Sequence, residues 1–255
     1  GTTFEASLSQ ISDKNISKNP INNESEISKI VNELESSTFQ LKKIESKPQS
    51  SSPKPPFRTS TLQMSAASSL GFTADRTMQA AQKLYEGGFI TYLRTDGITI
   101  STSPNTGEPF TEANPGPPPL QEIRNFIASS YDSSFLSKEP RVYKSKVQNS
   151  QEAHEAIRPT DITKTPQGVS LNGDEEKLYK LIWNRTVASQ MENSRYERKT
   201  LIIESTDSKY QYRASSRKNL FKGFEILTGS EDEKVTVFPE GLDEGKELQL
   251  VSNKY

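Results

Sequence analysis

Gly88-Phe89-Ile90-Thr91-Tyr92-Leu93-Arg94-Thr95-Asp96-Gly97 is the stretch from which the rest of the chain is read. Its Phe, Ile, Thr, Tyr and Leu favour an extended backbone. Positions two apart then share a face, so Tyr92 and Arg94 are expected to project together. A phenol beside a guanidinium suits attack on phosphate. The phenol is a poor nucleophile at its free pKa of about 10, and a fixed cation favours the phenolate while offsetting charge that builds on phosphate oxygens. The alternative from these residues alone is that Tyr92 packs in a core and Arg94 pairs with Asp96.

Working outward, the stretch is preceded by two helical patterns. Ser60 and Gln63 are spaced as a capping box ahead of Leu62, Ala66 and Leu70, with Gly71 as the stop. Thr73 is placed to cap a second helix, in which Ala74, Met78, Ala81, Leu84 and Tyr85 are expected to face a core up to Gly87-Gly88. Downstream, residues 101 to 119 hold too much Pro and Gly for regular structure and read as a surface insertion. Leu120, Ile123, Ile127 and Tyr131 mark a further helix. His154 and Arg158 are expected four apart on one face of a short helix closed by Pro159. A last helix runs from about Asp174, with Leu178, Leu181, Ile182, Ala188 and Met191 inward and Trp183 near the edge.

Both ends read differently. Phe4, Ala6 and Leu8 alternate with polar neighbours, Asn23 and Glu26 open a helical pattern, and residues 39 to 44 read as a strand. Residues 47 to 56 are Ser, Pro and Lys apart from Gln49, a linker by composition. Past Asn193, strand patterns fall at 200–204, 210–214, 235–238 and 247–251, with Gly223, Gly229, Gly241 and Gly245 between them. The expected class is α+β: one β-rich domain built from both ends (1–51 and 196–255), with a mainly helical domain (52–195) inserted between them.

Composition bounds the partners. The 255 residues include no cysteine and one histidine, which excludes disulfides and the usual zinc sites. A second histidine is absent four residues after His154, where Arg158 stands. Mean hydropathy is -0.75 and no apolar run reaches 18 residues, so no ordinary membrane span is expected. The net charge of -1 does not announce a nucleic-acid binder, so a positive surface must come from where Lys and Arg lie in space. No basic leader or apolar signal core opens the chain, and the strand-like text at both ends is read as a segment of something longer.

Three stretches carry a resemblance. Gly87 to Gly97 resembles the active-site segment of type IA DNA topoisomerases, in which the tyrosine of an I-T-Y-x-R-T-D run joins covalently to a DNA 5′-phosphate. Pro56-Phe57-Arg58-Thr59-Ser60-Thr61-Leu62-Gln63 upstream and the run from Asn149 through Gln151-Glu152-Ala153-His154-Glu155 to Thr160 downstream agree in order and spacing, over about a hundred residues. The bacterial topoisomerase I branch is the most similar. The resemblance implies that Tyr92 is the nucleophile, that Arg94 holds the scissile phosphate, and that His154 acts near it. Thr59, Ser60, Thr61 and Gln63 suit contacts to DNA phosphate or sugar, with Ser60 alternatively a helix cap. Arg158 is read equally as a phosphate contact or as a lock through a carboxylate. Asp96 is read as orienting Arg94 or capping a turn rather than ligating a metal.

The implied fold is a β-rich arch carrying a helical domain that swings to open a gate. The implied function is relaxation of negative supercoils without ATP, acting as a monomer on single-stranded or negatively supercoiled DNA. Its setting is the cytoplasm, on the nucleoid, or an organelle if the source is eukaryotic. Mg2+ belongs to the full-length enzyme, held by acidic residues of a toprim-type domain outside this chain, so this segment is expected to bind none and to be inactive alone. The alternatives are a non-catalytic DNA-binding or gate module of the same fold, or the topoisomerase half of a reverse gyrase. A tyrosine recombinase or type IB enzyme has its tyrosine after its arginines and histidine, the reverse of the order here.

Overall fold

The computed structural model describes residues 3–12, 14–16, 18, 20–102, 117–143, 155–230 and 237–252. The chain divides into two units. One is Gly1–Ser50, Arg195–Phe221 and Glu231–Tyr255; the other is Ser51–Ser194 and Lys222–Ser230.

The first unit is a six-stranded sheet with one helix. The strands are β1 (Ser7–Ile11), β2 (Lys14–Asn15), β3 (Phe39–Ser51), β4 (Ser194–Ser205), β5 (Tyr210–Phe221) and β6 (Glu247–Leu248), in the order β2-β1-β5-β4-β3-β6. The β1–β2, β1–β5, β4–β5 and β3–β6 pairings are antiparallel. Leu201 lies opposite Ala214 and Ile203 opposite Tyr212, which puts alternate residues on the core face. Leu34 of the helix α1 (Glu24–Glu35) joins them, with Phe39, Leu41 and Tyr210. The Asn23 side chain caps α1 as its pattern predicts, accepting from Ser25 N–H.

Two strand expectations need correction. The Ser, Pro and Lys run expected as a linker from residue 47 continues β3 to Ser51. β3 therefore carries Pro48, which has no N–H to donate, within the strand. Of the strand expected at 235–238, Val237 and Phe238 are described and lie in no strand; the other two fall outside the described residues.

The second unit is helical: α2 (Thr59–Leu70), α3 (Ala74–Glu86), α4 (Pro119–Ser130), α5 (Gly173–Ala188) and α6 (Glu225–Thr228). α5 packs against α2, α3, α4 and α6, and that is why it is apolar on more than one face. Trp183, expected near the edge, is buried with its indole N–H donating to Ile162 O. α6 lies on α5, so residues 222–230 group with the middle of the chain. Glu155 to Pro159, the described part of the run expected as a helix, is not helical. The N–H groups of Ala156, Ile157 and Arg158 go to Thr99 O, Phe57 O and Thr91 Oγ1, leaving none for a helical turn. The insertion expected at 101–119 lies mostly outside the described residues.

Candidate active site

The site is built on the exit from α3. The Gly88 backbone has φ of 70°, a turn that a side chain would strain, and Phe89 N–H returns to Leu84 O. The chain beyond it is no ladder strand. Ile90 makes a single bridge to Pro159, and the backbone then bends at Thr91, Leu93 and Arg94. Alternation survives all the same, because Ile90, Leu93 and Thr95 are buried while Tyr92, Arg94 and Asp96 are turned outward. Burying Ile90 and Leu93 is worth roughly 1.5–3 kcal/mol each, enough to fix which side chains face outward.

Tyr92 is 45% exposed, so it is not a core residue, and its ring meets Tyr85 edge-on at 5.4 Å. Among the described residues no ion pair joins Arg94 to Asp96. The turn after Thr95 is closed by the Thr95 hydroxyl, which accepts Gly97 N–H at 2.9 Å, rather than by Asp96. Beside Arg94 lies an open depression of about 530 Å3 between the segment and Asp75, Gln79, Gln82 and Lys83 of α3.

The other two motifs converge on this segment through backbone and hydroxyls. Thr59 N–H donates to Thr95 O at 3.0 Å, and its hydroxyl donates to Leu93 O at 2.7 Å while accepting Thr95 N–H at 2.9 Å. On the other side, Thr91 N–H donates to Arg158 O, and the Thr91 hydroxyl donates to Ala156 O at 2.8 Å and accepts Arg158 N–H at 3.0 Å. Thr160 donates to Phe89 O and Gly88 O. Ile157 N–H to Phe57 O closes the ring of three motifs.

Several site residues thus have structural partners. Arg158 is buried, forked onto Glu155 by two bonds of 2.9 Å, with a third bond to Pro159 O. Glu155 also accepts Ser101 N–H at 2.7 Å. Of the two readings of Arg158, these contacts match the lock through a carboxylate. Arg58 takes the N-cap position expected of Ser60 and Thr61 the third helical position expected of Gln63, because α2 begins two residues earlier than the pattern suggests: Arg58 N–H donates to the Thr61 hydroxyl at 3.1 Å. Ser60 is exposed and Gln63 half-buried. His154 lies outside the described residues.

Three residues of the site escape a reading of the sequence. Arg58, just ahead of the Thr-Ser-Thr run, has a buried Nε without a hydrogen-bond partner; its one signal is a cation at a helix start. Thr91 has no signal, since its hydroxyl partners are 65 to 67 residues away. Tyr85, expected inward, is 40% exposed, because the α3 face that carries it turns toward Tyr92. Among the described residues no group of three His, Cys, Asp or Glu side chains is placed to hold a metal ion. No helix of those residues is long and apolar enough to cross a membrane.

The chain combines helices with an antiparallel sheet and displays a tyrosine and an arginine on a segment braced by two others. A family model described as DNA topoisomerase matches residues 2–255, and the chain belongs to that family, in its bacterial, type IA branch. It is 42% identical over 231 residues to DNA topoisomerase 1 of Rickettsia felis, covering 87% of this chain and 28% of the relative. To DNA topoisomerase 1 of Rickettsia prowazekii it is 39% identical over 269 residues, covering 99% and 33%. The solved full-length topoisomerase I of Thermotoga maritima superposes with a TM-score of 0.66 at 28% identity, over 97% of this chain and 38% of that one. The chain therefore spans about a third or less of the curated relatives it matches.

Proposed function

We propose that this chain is the central part of an enzyme that opens and reseals one strand of DNA through Tyr92. The phenolic oxygen attacks a backbone phosphorus, the bond from phosphorus to the 3′-oxygen breaks, and that oxygen leaves with a proton as a 3′-hydroxyl. The phenol's own proton goes to solvent or a nearby base. One phosphodiester is exchanged for another, so the hydroxyl can attack back and expel the phenol without ATP. The observation that carries this reading is the bracing of the Tyr92 segment by hydroxyls of both neighbouring motifs, which leaves its phenol and the Arg94 guanidinium outward.

Arg94 is assigned to the scissile phosphate, where a fixed donor fork is generally worth a few kcal/mol. Arg58, with its unsatisfied Nε, is a second phosphate ligand, and Ser60 and Gln63 near the start of α2 are DNA contacts. Thr59, Thr61 and Arg158, which the resemblance offers as DNA contacts, are positioning residues. His154 is assigned to hydrogen bonding at the same phosphate, with a pH dependence near its unperturbed pKa of about 6.5. The described residues offer no cluster to hold Mg2+, and its ligands are assigned to another part of the enzyme.

The partner is single-stranded or negatively supercoiled DNA, bound by a monomer on the nucleoid or in an organelle. Local charge supports a DNA partner despite the net charge of -1. Arg198 and Arg217 lie opposite each other on β4 and β5, with guanidinium carbons 5.9 and 3.8 Å from the Tyr196 ring. The sheet unit is assigned as the arch and the helical unit as the gate that carries the nucleophile; the division of the chain into ends and middle supports that assignment.

The test uses the full-length protein and a 3′-end-labelled single-stranded oligonucleotide, denatured with detergent during turnover. Label should migrate with the wild-type protein and not with Tyr92→Phe, which should still bind the strand. Arg94→Ala should lower adduct formation by about 10²–10³. An adduct with Tyr92→Phe, or one that retains only a 5′ label, would exclude the assignment.

A further inference from the structure

We infer that the open depression between α3 and Leu93–Arg94 is a subsite for one nucleobase of the cleaved strand, that of the nucleotide whose 5′-phosphate becomes joined to Tyr92. The inference rests on the reading of Tyr92 as nucleophile and adds a determinant of cleavage-site choice to it.

Asp75, Gln79 and Gln82 recur at intervals of four and three, so they share one face of α3, and Met78 lies between them. That face is turned to the active segment, and the space between is about 530 Å3, within the roughly 300–1,000 Å3 of small-molecule sites. Met78 and Leu93 give it an apolar floor, and sulfur and aliphatic carbon are good contacts for a flat aromatic ring. The amides of Gln79 and Gln82 stand along it. Gln82 is already oriented, because its Nε2 donates to Glu86 Oε1 at 2.7 Å, which leaves its carbonyl and a second N–H for a base edge. Side-chain amides carry the donor and acceptor pair that base edges present.

Charge sets the direction of the nucleotide. Arg94, two residues from Tyr92, and Lys83, whose ammonium is held by Glu175 at 2.8 Å, line the space as cations, while the Asp75 carboxylate disfavours a phosphate beside it. The phosphate therefore sits at Arg94 and its base extends along α3. Tyr85, one turn after Gln82 and in contact with Tyr92, continues the same row as an exposed ring. The nucleotide seated here is the one that remains covalently attached through the intermediate. The strand ending in the 3′-hydroxyl must leave and return, and a base pocket for it would oppose opening, whereas a pocket for the attached nucleotide does not.

The test is a double-mutant cycle in the full-length protein, with strands that carry a normal or an abasic residue at the first position of the attached side, and the covalent adduct as readout. Removing the base should lower wild-type adduct on the order of tenfold, as for loss of one stacked and hydrogen-bonded base. In the Gln79→Ala/Gln82→Ala variant the same removal should matter less than about twofold, because the partners are already gone. An equal loss in both proteins, no loss in the wild type, or a loss seen only when the base on the 3′-hydroxyl side is removed would overturn the subsite. Failure of the wild type to form any adduct with a normal strand would instead overturn the role of Tyr92.

Discussion

Two threonine hydroxyls, those of Thr59 and Thr91, each donate one hydrogen bond and accept another from backbone far away in sequence. Tyr92, Leu93 and Arg94 are suspended between them, so the position of the phenol depends on groups that never touch it. Thr59→Val keeps the shape but leaves the buried Thr95 N–H without its acceptor, which typically costs about 1–3 kcal/mol. The expected outcome is a lower denaturant midpoint together with slower adduct formation in the full-length protein; unchanged values for both would show that the clamp is dispensable. Arg158→Lys keeps the charge and loses the fork onto Glu155, since an ammonium cannot make two parallel bonds. That variant is expected to unfold at lower denaturant, by about 1–3 kcal/mol. An unchanged midpoint would mean that Glu155 finds an equal partner.

Elements are legible in this sequence where their stabilising contacts are local. The caps at Asn23 and Thr73, the stop at Gly71 and the amphipathic α3 all follow from neighbours within a turn. The misread elements depend on distant partners. Glu155 to Pro159 has helical text, yet its N–H groups find acceptors at Phe57, Thr91 and Thr99. Residues 47 to 51 have linker composition but continue a strand whose partner β4 begins at Ser194. Gly223 lies in a turn as its text predicts, but the groups it meets there are distant in sequence. With φ of 49°, its missing Cβ would sit 2.5 Å from Asn193 O and Glu192 O, so the start of α6 presses on the end of the preceding segment. Gly223→Ala should cost at least about 1–3 kcal/mol through backbone strain, and the clash adds to it. Faster amide hydrogen exchange over Glu225–Thr228 is the expected sign; exchange as in the wild type would mean that the contact relaxes freely.

At the scale of the molecule the described residues form two hydrophobic cores, and each holds a tyrosine that burial shifts. Tyr179 in the helical unit and Tyr212 in the sheet unit are each pushed up to about 12 by desolvation. The unfolded phenol titrates near 10, so the folded state holds its proton more tightly. That contribution to stability is complete below about pH 10 and is lost as pH rises toward 12. Burial also raises Tyr131, Tyr143 and Tyr210, so alkaline titration followed by tyrosinate absorbance should show several phenols ionising late, Tyr179 and Tyr212 among them, together with unfolding. Titration of every tyrosine near 10 with the fold intact would contradict the burial. A second expectation concerns activity. The purified 255-residue chain should not relax supercoiled plasmid in Mg2+, since its described residues offer no metal cluster and it spans about a third or less of its relatives; clear relaxation would overturn the assignment of the metal to another part of the enzyme.

By itself the sequence determined the order of the three motifs, the tyrosine and arginine at their centre, and strands at both ends with helices between, because residue identity and short periodicities record these directly. Only tertiary structure decided that Tyr92 faces outward, that Thr59 braces the backbone of Leu93 and Thr95, that the Arg158 backbone braces Thr91, and that a cleft opens beside Arg94. Those outcomes depend on hydrogen bonds and packing between groups tens of residues apart, and a local pattern holds no trace of which distant donor or acceptor will arrive.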